Sequence, residues 1–202
     1  MTVADAPVRD RGEVVARVVT EVFAPAVLIA AQLVLVGWHA GQQDGVSRWW
    51  GVPAALFAAV IPLSYILRGV RRGRFTDHHI PEREHRRVPL LFGIVSVAVG
   101  LGLLVALGAP ADVIALLGAG AAGLVVFAAV TLWWKMSIHA GVAAGTVAVL
   151  TVVYGPAGLV ATPLVPLICW ARVRLSAHTV AQVVAGSAVG ALIAAIVFSA
   201  LR

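Results

Sequence analysis

Long apolar runs separated by short polar stretches dominate the chain, at about residues 22–40, 51–68, 89–108, 112–134, 139–154, 157–171 and 179–201. A helix that crosses a bilayer needs about 20 apolar residues, with a range of roughly 17–25. The runs at 139–154 and 157–171 are short, and the second of them holds Pro163 and Pro166. Such segments tilt, kink or turn back within the membrane where protein neighbours satisfy the backbone groups that a proline frees. The pattern predicts an all-α fold, a polytopic integral membrane bundle of six to seven transmembrane helices. Residues 20–202 read as one transmembrane bundle, and residues 1–19 as a polar N-terminal lead-in that mixes Arg with Asp and Glu. A cleavable signal peptide would show a basic start, a short apolar stretch and a small-residue cleavage site. None is evident.

Composition strengthens this picture. The 202 residues are 61% hydrophobic and 12% charged, with a mean hydropathy of +0.98. Soluble domains have roughly 45–50% apolar and about 25% charged residues, so a soluble globule and a disordered chain are both excluded. The single cysteine, Cys169, allows neither an internal disulfide framework nor a Cys-based zinc site.

Charge adds direction. Alternating the loops places Arg9, Arg11, Arg17, the basic loop at 69–88, Lys135, Arg172 and Arg174 on one side, and only Arg48 and Arg202 on the other. Basic residues collect in cytoplasmic loops, so the N-terminus is expected in the cytoplasm and the protein in the plasma (inner) membrane. Trp38, Trp49 and Trp50 then flank the first external loop, with Trp133, Trp134 and Trp170 near the inner boundary, as in the aromatic belts of membrane proteins. Gly186 and Gly190 form a G-x-x-x-G pair, which serves close packing within the bundle or a homodimer face.

Three segments on the expected cytoplasmic side hold most of the chemistry. The loop from Arg71 to Pro89 carries Arg86 and Arg87 among other arginines, with Asp77, His78, His79, Glu82, Glu84 and His85. Its plain reading is a solvated positive loop that touches anionic lipid head groups. A metal site from Asp77, His79, Glu82 and His85 would lack any recognised ligand spacing, so no metal is assigned. The second segment runs from Lys135 through Ser137 to His139, with Ser137 a cap and His139 in the first turn of the following helix. The third runs from Arg172 and Arg174 through Ser176 to His178, with Ser176 expected to cap the last helix and His178 in its first turn. Two helix starts on one face thus each present a Ser, a His and a cation.

No Asp or Glu follows Asp112. A site in that half must use His, Arg, Lys, Ser and Thr, and helix N-termini add unpaired N–H groups that attract anions. Arginine forks bind phosphate oxygens in pairs. One imidazole can attack phosphorus while a second supplies the leaving-group proton. That scheme calls for no cofactor and no metal ion, and nothing in the chain points to nucleic acid.

The second and third segments resemble the type-two phosphatidic acid phosphatase superfamily of membrane lipid phosphatases. Its P-S-G-H motif is matched by Met136-Ser137-Ile138-His139, and its S-R-x5-H-x3-D motif by Ala171-Arg172, His178 and Gln182 at the same spacings. Its K-x6-R-P motif is matched loosely, by His79-x6-Arg86 or by Arg87-Val88-Pro89. The likeness covers roughly residues 133–201. It implies that His178 is a nucleophile forming a phosphohistidine, that His139 protonates the leaving group, and that Ser137 and Arg172 bind phosphate, with Lys135, Arg86 and Arg87 as further cations. The family's Asp that orients the nucleophile is Gln182 here, so Asp77 and His79 are also candidates for the orienting role. The resemblance implies a hydrolase acting on a lipid or isoprenoid phosphate or diphosphate, among membrane lipids, at the cytoplasmic leaflet. The alternative is a non-catalytic lipid-binding, transport or scaffold protein that lost activity with the Asp. A membrane prenyltransferase would need paired Asp-rich motifs for magnesium, which the chain lacks.

Overall fold

A computed structural model describes residues 10–78, 80 and 84–202. His79, an orienting candidate above, lies outside the described residues, as do Glu82, Arg83 and Arg9. The described residues form helices joined by short turns, with no strand among them. Among the described residues, six helical stretches are long and apolar enough to cross a membrane: Pro25–Asp44, Arg48–Arg71, Arg87–Ala106, Ala111–Thr131, Ile138–Ala161 (which takes in a 3-10 segment after the α-helix) and Val180–Leu201. The protein is an all-α, polytopic membrane bundle.

Helix α1 (Arg11–Val22) is short and amphipathic, so the second half of the expected polar lead-in is folded. Ala16 and Val19 pack with Ile168 and Ala171 in one buried cluster, while Val14, Val15, Val18 and Val22 stay exposed along one face. Asp10 caps α1 through the Gly12 N–H and makes an ion pair with Arg174. Helix α2 (Pro25–Asp44) follows directly and ends at Gly45, whose φ of 67° is the left-handed conformation glycine supplies without a Cβ clash.

The second long helix, Arg48–Arg71, is α3 (Gly51–Ala55), a π turn (Leu56–Val60) and α4 (Ile61–Arg71) in series. Single π turns inside α-helices are common at functional sites. Here the Ser96 hydroxyl donates to the Phe57 carbonyl at 2.6 Å, satisfying a group in the irregular turn. At Gly37 and Gly51 the two backbones meet closely, a Cβ on Gly37 standing 2.5 Å from the Gly51 nitrogen. Helix α2 packs against α3 and the π turn but hardly touches α4, so the pair splays open toward the end that carries Arg71.

Helices α5 (Arg87–Ala106) and α6 (Ala111–Thr131) form an antiparallel pair. Helix α7 (Ile138–Tyr154) ends beside α2, where the Tyr154 hydroxyl donates to the Leu35 carbonyl at 2.9 Å. The chain then reverses at Gly155 (φ 61°) into a 3-10 segment, Gly155–Ala161, followed by α8 (Leu164–Arg174). Gly158 abuts the Leu150 backbone, so this segment runs back along α7. The two pieces together reach about 30 Å, the thickness of a bilayer core. They replace the single short span expected at 157–171, because Pro156, Pro163 and Pro166 interrupt one α-helical hydrogen-bond ladder.

The last helix, α9 (Val180–Leu201), runs parallel to α7 in the closest packing of the bundle. A Cβ on Gly186 would stand 2.5 Å from the Ser137 carbonyl oxygen, and one on Gly190 would overlap the Gly141 backbone. The G-x-x-x-G pair is thus used inside the bundle. It brings the starts of α7 and α9, each next to a histidine, to the same end.

Candidate anion site

The five residues between Arg172 and His178 are enough to end one helix and prepare the next. After α8, the N–H groups of Ala177 and His178 donate to the Arg172 carbonyl at 3.1 and 3.2 Å. Ser176 takes a left-handed φ of 51°, the conformation that closes a helix C-terminus. Ser176 therefore terminates α8 and does not cap α9, contrary to the sequence expectation. Thr179 is the cap: its hydroxyl accepts the Gln182 N–H at 3.3 Å, and Gln182 Oε1 accepts the Thr179 N–H at 3.1 Å. This reciprocal box satisfies two donors that would otherwise be orphaned. It also places His178 just before the helix, not in its first turn.

The His178 ring is held from one side. Its Nδ1 lies 3.1 Å from Gln182 Oε1 and 3.3 Å from the Lys135 carbonyl oxygen. Both neighbours are acceptors, so Nδ1 carries the proton and Nε2 carries the lone pair. Burial is the main force lowering the His178 pKa, to about 4, and the positive charge of Arg172 adds to it, while the Gln182 hydrogen bond opposes. At neutral pH this ring is uncharged, with the Nε2 lone pair free of a proton.

His139 occupies the first turn of α7 and is buried, as the sequence predicts. Ser137 caps that helix through the Ala140 N–H at 3.3 Å. It has no exposed surface and does not line the cavity described below, so its visible work is to hold α7. The Ser137 N–H also donates to the Gln182 carbonyl at 3.2 Å, tying the two helix starts together.

Arg86, Arg172, His78, His139 and His178 line one end of a cavity of about 260 Å³. The rest of its wall is apolar, from α2, α4, α5 and α6, including Ile29, Leu33, Leu63, Leu90 and Leu124. Arg172 is 5% exposed, makes no ion pair with any described residue, and its buried Nε has no hydrogen-bond partner. Arg86 is buried as well, and its Nε donates to the Ile80 carbonyl at 2.7 Å, which fixes the loop over the cavity. Arg87 is exposed and away from the cavity wall. Lys135 contributes its carbonyl to His178 and its charge to the field there.

Asp77, an orienting candidate, is engaged with its neighbour: its Oδ1 lies 2.7 Å from His78 Nδ1 and accepts the His78 N–H at 2.6 Å. His78 Nε2 lies 3.0 Å from Glu21 Oε2, which links the loop to α1. Among the described residues the acceptors that orient His178 are Gln182 and Lys135. Sequence reasoning gave no site role to His78 and Gln32, which line this cavity, or to Glu21, which holds His78. Gln32 alone had a readable signal, a polar side chain in the middle of an apolar span.

Comparison with protein-family models, with curated proteins and with solved structures finds no match to this chain.

Proposed function

We propose that the protein is a membrane-embedded phosphatase that hydrolyses a lipid or isoprenoid phosphate or diphosphate through a phosphohistidine intermediate. The observation that carries this reading is Arg172: a buried guanidinium with no ion pair among the described residues, facing a cavity with three histidines at one end and hydrocarbon walls below. A buried unpaired charge is costly, and a bound anion removes that cost. The geometry at residues 135–139 and 172–182 also supports the resemblance to the type-two phosphatidic acid phosphatases.

In this scheme the phosphate oxygens lie on Arg172 and Arg86, in the field of Lys135, while the hydrocarbon tail occupies the apolar part of the cavity. His178 Nε2 attacks phosphorus and the bond to the lipid oxygen breaks. Protonated His139 gives its proton to that oxygen, and the lipid alcohol leaves. Water then attacks the phosphohistidine, His139 takes the proton from water, and phosphate departs with His178 restored. Gln182 holds Nδ1 throughout, in the place where the family has an Asp. The positive-inside bias supports a site at the cytoplasmic leaflet of the plasma membrane.

The test is phosphate release from a panel of diacylglycerol, sphingoid and prenyl phosphates and diphosphates. His178→Ala is expected to abolish turnover, and His139→Ala to lower it roughly 10²–10⁴-fold, the usual worth of a general acid. Turnover that survives His178→Ala sinks the phosphohistidine scheme.

A non-catalytic lipid-binding relative is the second reading, and Gln182 favours it. An amide accepts the Nδ1 hydrogen bond but carries no charge to offset a cationic ring. Lipid phosphates that bind at Arg172 without any release of phosphate would support this reading over hydrolysis.

A further inference from the structure

Gln32 lies about 10 Å along α2 from Pro25, beneath the charged end of the cavity. It is 9% exposed, its Oε1 is buried, and its amide has no hydrogen-bond partner among the described residues. Gln32 lines the main cavity and also a second one of about 120 Å³, walled by Phe127 of α6, by Gly141 and Gly145 of α7 and by Gly190 of α9. Ile29, Leu116 and Ile138 are shared by both walls. One anion site therefore stands above two apolar chambers, with a single unsatisfied amide where they join.

A prenyl phosphate offers only hydrocarbon at that depth, and leaves the amide unsatisfied. An acylglycerol phosphate offers ester groups below its phosphate and two chains that part there. Resting on the lipid-phosphate reading of the site, we infer that Gln32 is a specificity-determining residue. It hydrogen-bonds the ester linkage of a two-chain acylglycerol phosphate, whose chains divide between the two cavities, and it selects such lipids over prenyl phosphates.

The test is binding to the full-length protein in nanodiscs, followed by tryptophan fluorescence. The ligands are a diacylglycerol phosphate, its di-ether analogue, which lacks both carbonyls, and farnesyl phosphate. The wild type is expected to bind the ester lipid about tenfold more tightly than the ether lipid, the worth of about one hydrogen bond. In Gln32→Met that ratio falls to about one, while farnesyl phosphate binds as well as before or better. A wild type that does not separate ester from ether overturns the inference, and this comparison needs no variant. A Gln32→Met protein that keeps the tenfold ratio overturns it too. Ester-selective binding with no phosphate release on any lipid upholds Gln32 and overturns the hydrolase. Failure of every lipid phosphate to bind overturns both.

Discussion

Arg172 and Arg174 stand two residues apart on α8 and do different work. Arg174 points outward to the Asp10 carboxylate on α1, whereas Arg172 is buried against the cavity with no ion pair among the described residues. Replacing an uncompensated buried charge by an apolar chain of similar volume commonly stabilises a fold. Arg172→Met is therefore expected to raise the thermal midpoint in detergent by a few degrees while removing the stabilisation that added phosphate or orthovanadate gives the wild type. A lower midpoint with the phosphate effect intact would mean that Arg172 is a structural residue. His178 makes a pH prediction. Its folded pKa of about 4 lies below the roughly 6.5 of a free imidazole, so the unfolded chain binds the proton more readily. The stability due to the neutral ring is complete above about pH 6.5 and is lost as the pH falls toward 4. Between pH 7.5 and 5 the wild-type midpoint should fall further than that of His178→Asn, and phosphate in the buffer should lessen the difference. Equal acid sensitivity of the two proteins would exclude a buried neutral His178. The Arg–His spacing made both residues legible in the sequence. The separate duties of Arg172 and Arg174 were not, because side-chain direction depends on what packs against each face of the helix.

Helix contacts decide whether the two histidines meet. Helix α7 starts at Ile138 and α9 at Val180, and each places a histidine near its N-terminus. Their common location depends on Gly186 and Gly190, where the two backbones approach too closely for a side chain. Gly190→Leu is expected to force α7 and α9 apart, lower the thermal midpoint by several degrees and abolish phosphate-induced stabilisation. Gly102→Ala, at a position with no atom near its Cβ and away from the cavities, should leave both measurements close to wild type. Equal effects of the two changes would show that the α7–α9 contact has no special part in forming the site. The long helices were readable from apolar run length alone. The start of α9 was misread because Ser176 and Thr179 are both good caps by type, and the turn that ends α8 consumes the first of them. Residues 11–19 were read as part of a polar lead-in since their valines are diluted by Arg and Glu. Only the packing of Ala16 and Val19 against α8 reveals a folded helix.

At the scale of the whole molecule, the arginines around the cavity and those on which the expected cytoplasmic orientation rests belong to one end of the bundle. Arg48 and Arg202 stand at the other, where Arg48 lies 5.2 Å above the Trp38 ring and Arg202 pairs with Asp112 at 3.0 Å. In a Cys169→Ser background, Val46→Cys should react with an impermeant maleimide in intact cells, and Arg74→Cys only after permeabilisation. The reverse pattern would move the site to the outer leaflet and leave its chemistry unchanged. Apolar run length and the Arg/Lys bias were enough to establish a helical membrane bundle and to propose its orientation. Hydrocarbon selects for long apolar segments whatever their neighbours are, so these features are local and survive without coordinates. The Arg172-x5-His178 spacing and His139, likewise local, singled out three residues that line the charged end of the cavity, whereas Ser137 does not line it. Long-range packing set the rest: the glycine contact that joins the helix starts, the burial of His178 and Arg172, and Gln32 at the meeting of two cavities. Each of these depends on which faces of distant segments touch, and apolar periodicity in a membrane helix carries little of that information, since lipid and protein accept the same side chains.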